Sequence, residues 1–176
     1  MTGQPVGGVF AAVDVAYLGT GECRAAIVAA DEPSFGLVLW SATAVTAVAE
    51  GYVPGEFWRR ELPPLRGVLH GVAGLALIVV DGYVDLDPAG KPGLGARVHE
   101  EFGVAVVGVA KTLFRGASHA IPVRRGRSQR PLYVTAAGIA AEDAARLVDQ
   151  MAGEYRIPDG LRLADRLARG LEQPTR

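Results

Sequence analysis

The longest aliphatic run of the chain is LALIVV, residues 75–80, within the stretch LALIVVDG of residues 75–82. An uninterrupted apolar run of this length is typical of a strand in the middle of a sheet that is covered on both faces. Residues 92–102 then have the pattern of a helix, and residues 105–110 form a second apolar run. A strand, a helix and a strand in this order predict two parallel neighbours in one sheet.

The segments on either side of this unit complete the predicted fold. Three upstream strands, at residues 7–18, 23–30 and 36–48, are close enough in sequence to form an antiparallel meander. The prolines at 63 and 64 predict a short helix that ends near Leu62 and a second helix that begins near Pro64. Downstream we predict a hairpin and then two helices, at residues 121–123 with 132–135, 140–151 and 158–171. An α/β fold with this mixed sheet, an antiparallel three-strand meander plus parallel strands flanked by helices, is the ribonuclease H-like architecture.

Length and composition restrict the class of protein. A chain of 176 residues predicts one domain over residues 1–176, with a disordered tail at about 172–176. Cys23 is the only cysteine, so an internal disulfide and a cysteine-based zinc site are excluded. The N-terminus lacks the pattern of a signal peptide, and LALIVV is too short to cross a bilayer. We therefore expect a cytoplasmic monomer with no membrane partner.

The charge distribution is more informative than the formal net charge of -1, which argues mildly against a nucleic-acid binder. Between Phe102 and Ala141 the chain has no Asp or Glu. The basic residues of this stretch are Lys111, Arg115, Arg124, Arg125, Arg127 and Arg130. The stretch is either a solvated loop or an edge that faces phosphates.

Three acids are candidates for metal-dependent phosphoryl chemistry. Asp14 interrupts an apolar strand, Asp81 follows LALIVV, and Glu61 lies in a predicted helix. Each also has an ordinary interpretation: an outward-facing strand residue, an Asp-Gly turn and a solvated helix residue, respectively. Carboxylates suit hard divalent ions, and two such ions about 4 Å apart can drive phosphodiester hydrolysis. A buried carboxylate also requires a partner or a cation.

Six segments resemble motifs of the endonuclease V family, the deoxyinosine-directed nucleases, in order and at similar spacing. They are VDVAY (13–17), GYVPGEFWRRE (51–61), VVDGY (79–83), GVAKT (108–112), PLYVTAAG (131–138) and YRIPDGLRLADRLA (155–168). The resemblance covers nearly the whole chain and implies the ribonuclease H-like fold. It also implies an endonuclease that depends on Mg²⁺, with Mn²⁺ as the alternative metal. Such an enzyme would cut DNA at the second phosphodiester bond 3′ to deoxyinosine or another deaminated base.

The resemblance assigns a role to each matching residue. Asp14 and Asp81 would be the main metal ligands, and Glu61 would complete the site. Lys111 would contact a phosphate and Asp165 would be an auxiliary ligand or base, although each also has an ordinary interpretation as a surface residue. The substrate contacts would be a wedge at Tyr52, stiffened by Pro54, and a base pocket that includes Gly55, Phe57 and Gly82.

The chain also departs from the family pattern. Asp87 stands where the family usually has a histidine, and this carboxylate could bind the metal instead. Glu56 stands at a usually apolar position of the pocket motif, and Ile139 at a position where histidine is common. Because the first predicted strand begins close to Met1, we expect the family's N-terminal helical extension to be absent.

These departures leave three alternatives open. The substrate could be inosine-containing RNA or branched DNA, and the protein could bind nucleic acid without cutting it. A third alternative is an unrelated ribonuclease H-like protein that acts in a specialised pathway.

Overall fold

The computed structural model describes residues 8–48, 51 and 53–175. These residues form one mixed sheet of seven strands in the order β3-β2-β1-β4-β5-β7-β6, with four helices. The strands are β1 (Val9–Tyr17), β2 (Glu22–Ala30), β3 (Val38–Ala47), β4 (Leu75–Asp81), β5 (Ala105–Ala110), β6 (Ile121–Val123) and β7 (Leu132–Ala137). The helices are α1 (Trp58–Leu69), α2 (Leu94–Phe102), α3 (Ala141–Gln150) and α4 (Asp159–Ala168).

The predicted topology is confirmed. β1, β2 and β3 form the antiparallel meander, and β1, β4 and β5 are parallel neighbours. β6 and β7 form the predicted hairpin, which extends the sheet beyond β5. LALIVV therefore occupies the centre of the sheet, as its uninterrupted apolar character predicts.

Two apolar layers cover the two faces of the sheet. The layer beneath α1 and α2 includes Val13, Leu65 and Ile78, and the layer beneath α3 and α4 includes Val79 and Leu167. Neighbouring strand residues contribute to opposite layers because side chains alternate across a strand. Both faces of β4 are consequently buried.

The prediction of two helices around the prolines is wrong, because α1 continues through Pro63 and Pro64. Neither proline has an N–H, so the carbonyls of Arg59 and Arg60 have no helical donor at these positions. Pro64 is buried, as are the apolar residues at helical spacing from Leu62 to Leu69. Packing of this face against the sheet outweighs the local cost, about 3 kcal/mol for a proline in a helix interior.

The end of the chain contacts the edge of the sheet. The Thr175 amide donates to Ser41 Oγ at 2.8 Å, and the disordered tail at about residues 172–176 stays a prediction. The Ser41 amide in turn donates to the Thr175 carbonyl at 2.8 Å. β3 is the edge strand, and its free backbone groups explain this pairing. In the part of the chain that the structure describes, no helix is long and apolar enough to cross a membrane.

Candidate active site

Asp14 and Asp81 are brought together by the register of β1 and β4. The two strands are parallel, with Val13 opposite Val80, so the next residue on each strand is an acid. Both acids lie toward the carboxyl ends of their strands. Ligands of open α/β sheets bind at this edge, as the sequence analysis expected.

Glu61 reaches the same edge from α1. It lies in the first turn of the helix and its side chain is buried, with 6% of its surface exposed. The Tyr17 hydroxyl, at the end of β1, donates to Glu61 Oε1 at 3.3 Å. The Arg60 guanidinium lies over the Tyr17 ring, 4.3 Å from its centroid. Tyr17 is therefore fixed between the helix and the strand.

A cleft of about 620 Å³ opens at this edge, and we call it the acidic cleft. Its lining residues are Asp14, Val15, Ala16, Tyr17, Phe57, Glu61, Asp81, Lys111, Asp165 and Arg169. The structure thus brings together every residue predicted to be catalytic, from β1, α1, β4, the end of β5 and α4. The separation of these residues in sequence makes this convergence a property of the fold.

Burial and mutual repulsion raise the pKa of two acids in the cleft. The pKa of Asp14 rises from 3.8 to about 7, because the carboxyl is desolvated and faces Asp81. The pKa of Glu61 rises from 4.5 to about 8, because of desolvation and then because of Asp14. Both carboxyls therefore retain a proton at a higher pH than ordinary carboxyls do.

The other two acids have basic partners. Lys111 Nζ lies 2.5 Å from Asp81 Oδ2, and Arg169 Nε lies 2.9 Å from Asp165 Oδ1. Burial lowers the pKa of Lys111, but the attraction of Asp81 and the other cleft acids outweighs burial and leaves this pKa raised. Lys111 therefore stays charged and, as placed here, neutralises Asp81.

A smaller pocket of about 260 Å³ adjoins the acidic cleft, and we call it the aromatic pocket. It is lined by Gly55, Phe57, Trp58, Asp81, Gly82, Tyr83, Leu86, Gly93, Leu94 and Phe114. Phe57 and Asp81 line both cavities, so a ligand can occupy them together. Gly55 has a φ of +79° and Gly82 a φ of +141°, conformations that require glycine.

The remaining predicted residues lie elsewhere. Tyr52 is outside the described residues, and Pro54 is exposed in a turn and lines neither cavity. Asp87 also lines neither cavity, and its Oδ1 accepts a hydrogen bond from the Lys91 amide at 3.0 Å.

Two of the departures from the family pattern have local explanations. The Glu56 carboxylate pairs with Arg59 at 2.5 Å, so its charge is balanced on the surface of the helix start. Ile139 packs against the apolar layer beneath α3 and α4. The Glu56 charge is therefore balanced by Arg59, and Ile139 has a packing role.

Several lining residues were not predicted from the sequence. Arg169 stands four residues after Asp165, and this helical spacing is a signal for the pair that was overlooked. Trp58 and Tyr83 are sequence neighbours of predicted pocket residues. Phe114 has no such signal, because its position depends on the loop after β5. The Tyr83 hydroxyl accepts from the Phe114 amide at 2.9 Å and donates to the Thr112 carbonyl at 2.8 Å.

The donors of the acidic cleft are the hard oxygen atoms that divalent cations prefer. Within residues 8–48, 51 and 53–175, however, no three His, Cys, Asp or Glu side chains are placed so that they could hold a metal ion. Asp81 is engaged by Lys111, and Asp14 Oδ1 accepts from the Val15 amide at 2.8 Å. The donor chemistry fits a cation, and the side chains would have to turn toward it.

Comparisons with known proteins agree with this geometry. Endonuclease V from Pyrococcus horikoshii is 30% identical over 161 residues, which are 91% of this chain and 72% of the relative. The crystal structure of endonuclease V from Streptomyces avermitilis superposes with a TM-score of 0.77 at 27% identity, over 96% of this chain and 83% of that one.

A second solved structure shows the same fold at lower identity. Ciona intestinalis endonuclease V, in complex with a 24mer DNA containing an inosine followed by a ribo-adenosine, has a TM-score of 0.79 at 17% identity, over 94% of this chain and 85% of that one. The sequence model of the endonuclease V family matches residues 3–136. Because this match spans most of the sequence and includes Asp14, Glu61, Asp81 and Lys111, the chain belongs to the endonuclease V family of nucleases.

Proposed function

We propose that the protein is a metal-dependent endonuclease that hydrolyses a phosphodiester bond 3′ to deoxyinosine, or to another deaminated base, in DNA. One observation carries the proposal: Asp14, Glu61 and Asp81 meet in a cleft that adjoins a pocket with aromatic walls. The acids would take part in hydrolysis of the phosphodiester bond, and the pocket would bind a base. The inosine-containing DNA bound by the Ciona relative is consistent with this division.

Asp14, Asp81 and Glu61 are the residues that would hold a divalent cation such as Mg²⁺. Two of them have a raised pKa, first because burial desolvates the carboxyls and then because neighbouring acids repel them, and a cation would relieve both costs. The bound cation would supply Lewis-acid stabilisation of the charge that develops on the phosphate oxygens. Asp87 as a further ligand stays a prediction.

The chain's own residues account for the rest of the reaction. Glu61, with a pKa raised to about 8, would be mostly protonated near neutral pH in the absence of a cation; once ionised, it would orient the attacking water. Lys111 and Arg169 line the same cleft and present positive charge to a phosphate. Lys111 would leave Asp81 as that carboxylate turns to the cation.

The aromatic pocket would receive the extruded base. Phe57, Trp58 and Phe114 contribute aromatic rings to the lining of the pocket. The positive φ of Gly82 favours glycine, so the backbone next to Asp81 has no side chain and a base can approach it closely. Unstacking a base from a duplex costs a few kcal/mol, and a deaminated, mispaired base costs least. A pocket of this kind therefore favours damaged positions.

The experiment is cleavage of an end-labelled duplex with a single deoxyinosine, in Mg²⁺ and then in Mn²⁺, by wild type, Asp14→Ala and Asp81→Ala. We expect a nick at the second phosphodiester bond 3′ to the lesion, lost in both variants. Asp143→Ala, on the exposed surface of α3, is the matched control and should cut as wild type does. Inosine-containing RNA is assayed in parallel. Binding without a nick in any substrate or metal would contradict the proposal in favour of a non-catalytic binding protein.

A further inference from the structure

The basic stretch between β5 and β7 contains two kinds of arginine. Arg125 is buried, with 5% of its surface exposed, and donates to the carbonyls of Met151, Gly153 and Tyr155. It therefore holds the loop between α3 and α4. Arg127 and Arg130, by contrast, are exposed, and within the described part of the chain their guanidinium groups form no salt bridge.

The loop that carries these arginines lies at the same edge of the sheet as the acidic cleft. β6 ends at Val123, opposite Leu132 of β7. β7 begins beside the end of β5, where Ala110 pairs with Tyr133. Since Lys111 directly follows β5 and lines the acidic cleft, residues 124–131 extend from the Lys111 end of that cleft.

A separate cleft of about 540 Å³ lies beside this loop, and we call it the arginine cleft. It is lined by Arg127, Ser128, Glu154, Tyr155 and Arg156. The Arg156 guanidinium donates to the carbonyls of Lys111, Arg130 and Pro131, at 2.5, 3.0 and 2.8 Å. Arg156 therefore joins the arginine cleft to the backbone of a residue that lines the acidic cleft.

Tyr155 gives the arginine cleft an aromatic surface. Its side chain is 55% exposed, and the Arg162 guanidinium lies over one face of the ring, 4.5 Å from the centroid. An exposed ring beside free arginines is the arrangement on which an unpaired base stacks while phosphates contact the cations. Arg130 does not line the arginine cleft, but its carbonyl accepts a hydrogen bond from Arg156, which does. We therefore place the phosphates at Arg127 within the cleft and at Arg130 next to it, away from the Glu154 carboxylate.

We propose that the arginine cleft binds the unpaired nucleic-acid strand where it leaves the acidic cleft, with phosphates on Arg127 and Arg130 and a base stacked on Tyr155. The proposal rests on the proposed function for the identity of the strand. It adds a second contact surface, which would make activity depend on strand length beyond the cut site. Bases within a duplex are already stacked on their neighbours and have no free face for Tyr155, so an unpaired strand is the expected ligand.

The first test measures binding without cleavage. A fluorescein-labelled single-stranded 20mer with one deoxyinosine is titrated with full-length protein in EDTA at several KCl concentrations, and anisotropy gives the affinity. Replacing Arg127 and Arg130 together by Gln should reduce the slope of log K against log [KCl] by about 1.4, since each phosphate contact on a single strand contributes about 0.7. Affinity at 0.1 M KCl should fall roughly 10- to 30-fold.

Arg146→Gln is the matched control, because Arg146 is an exposed arginine of α3 whose salt bridge is with Asp143. Its salt slope should be lower by at most a few tenths. If the double variant has the same slope as Arg146→Gln, the arginine cleft does not bind phosphates and the proposal is overturned. An equal loss of affinity for a fully paired duplex would overturn the assignment to an unpaired strand.

The second test concerns the base. Tyr155→Leu should weaken binding about 5- to 150-fold, the range expected for loss of one stacked base, whereas Tyr155→Trp should bind at least as well as wild type. In a series of 20mers that each lack one base, removal of the base that stacks on residue 155 should abolish the difference in affinity between Tyr155→Leu and Tyr155→Trp. Equal binding of wild type and Tyr155→Leu to the intact strand would refute the stacking role.

Failure of the proposed function is distinguishable from failure of this proposal. If wild type cuts the deoxyinosine duplex but the arginine and tyrosine variants bind strands as wild type does, only the arginine cleft is rejected. If wild type cuts nothing, the nuclease proposal is rejected, while the anisotropy slopes still decide whether the cleft binds a strand. Matching thermal unfolding midpoints for all variants exclude misfolding as the cause.

Discussion

Replacement of Asp14 by asparagine should stabilise the metal-free protein, and the gain should depend on pH. The Asp14 carboxyl has a pKa of about 7 in the folded protein, against an ordinary value of 3.8. The folded state therefore binds more protons than the unfolded state between about pH 4 and pH 7. The free energy of unfolding of wild type falls as pH rises through this window. Asp14→Asn removes the part of this dependence that Asp14 contributes, while Glu61, whose pKa is also raised, contributes its own part in both proteins.

The magnitude follows from the pKa difference. About three pH units at 1.36 kcal/mol each correspond to about 4 kcal/mol above pH 7, and to a small contribution near pH 4. The buried amide of the variant has its own cost of about 1–2 kcal/mol at every pH. The diagnostic quantity is therefore the change in the stability difference between pH 4 and pH 8, which we expect to be about 3–4 kcal/mol in favour of the variant.

Urea unfolding in EDTA at pH 4, 6 and 8, followed by tryptophan fluorescence, measures this change. With an m-value of about 2 kcal/mol/M, the variant's midpoint should gain about 2 M on wild type across the range. Mg²⁺ at 100 times its dissociation constant should return about 2.7 kcal/mol to wild type at pH 8 and much less to the variant. Asp143→Asn, 59% exposed, is the control and should show no pH-dependent gain. A stability difference for Asp14→Asn that is constant within 1 kcal/mol over this range would refute the reasoning.

Three further substitutions test individual contacts. The Tyr17 hydroxyl donates to Glu61 and lowers the pKa of that carboxyl, so Tyr17→Phe should raise the pKa of Glu61. The acidic limb of the pH profile of kcat/KM should then move to higher pH. An unmoved limb would show that Glu61 does not titrate in the reaction. Arg156→Lys cannot reach three carbonyls at once and should lower the free energy of unfolding by about 2–4 kcal/mol, measured by urea unfolding. Leu65→Ala should cost about 2–5 kcal/mol by the same assay because its side chain is buried in the layer beneath α1, whereas Leu171→Ala, at an exposed position, should cost less than about 0.5 kcal/mol.

Patterns of short range were sufficient to predict the strands and to mark Asp14 and Asp81 as candidate site residues, whereas Lys111 and Asp165 were assigned by resemblance to the endonuclease V motifs. The uninterrupted run of β4 specifies a central strand, and the acids that interrupt or end apolar runs specify where polar chemistry lies. Asp14 and Asp81 were therefore identifiable before their contact was known. Their adjacency depends on the register of β1 against β4, which no local pattern encodes.

Contacts between distant segments explain what sequence reasoning could not supply. Arg125 and Arg127 are equivalent in a charge count, yet one is buried because carbonyls of the loop after α3 surround it. The continuity of α1 through Pro63 and Pro64 has the same origin, since the sheet beneath the helix provides the compensating burial. In both cases the decisive energy lies in residues that are remote in sequence or on another element.

The pairing of charges in the acidic cleft separates the four acids into two functional pairs. Lys111 forms a salt bridge with Asp81, and Arg169 forms one with Asp165, so each of these acids has a basic partner within the chain. In the described part of the chain Asp14 and Glu61 have no salt-bridge partner, and these are the two acids whose pKa rises toward or above neutrality. In the proposed function Asp14, Glu61 and Asp81 are the residues that would hold a cation, which would supply positive charge where the chain itself supplies the least. With Asp81 turned toward such a cation, Lys111 would lose its partner, and its ammonium would face the acidic cleft and be free to contact a phosphate.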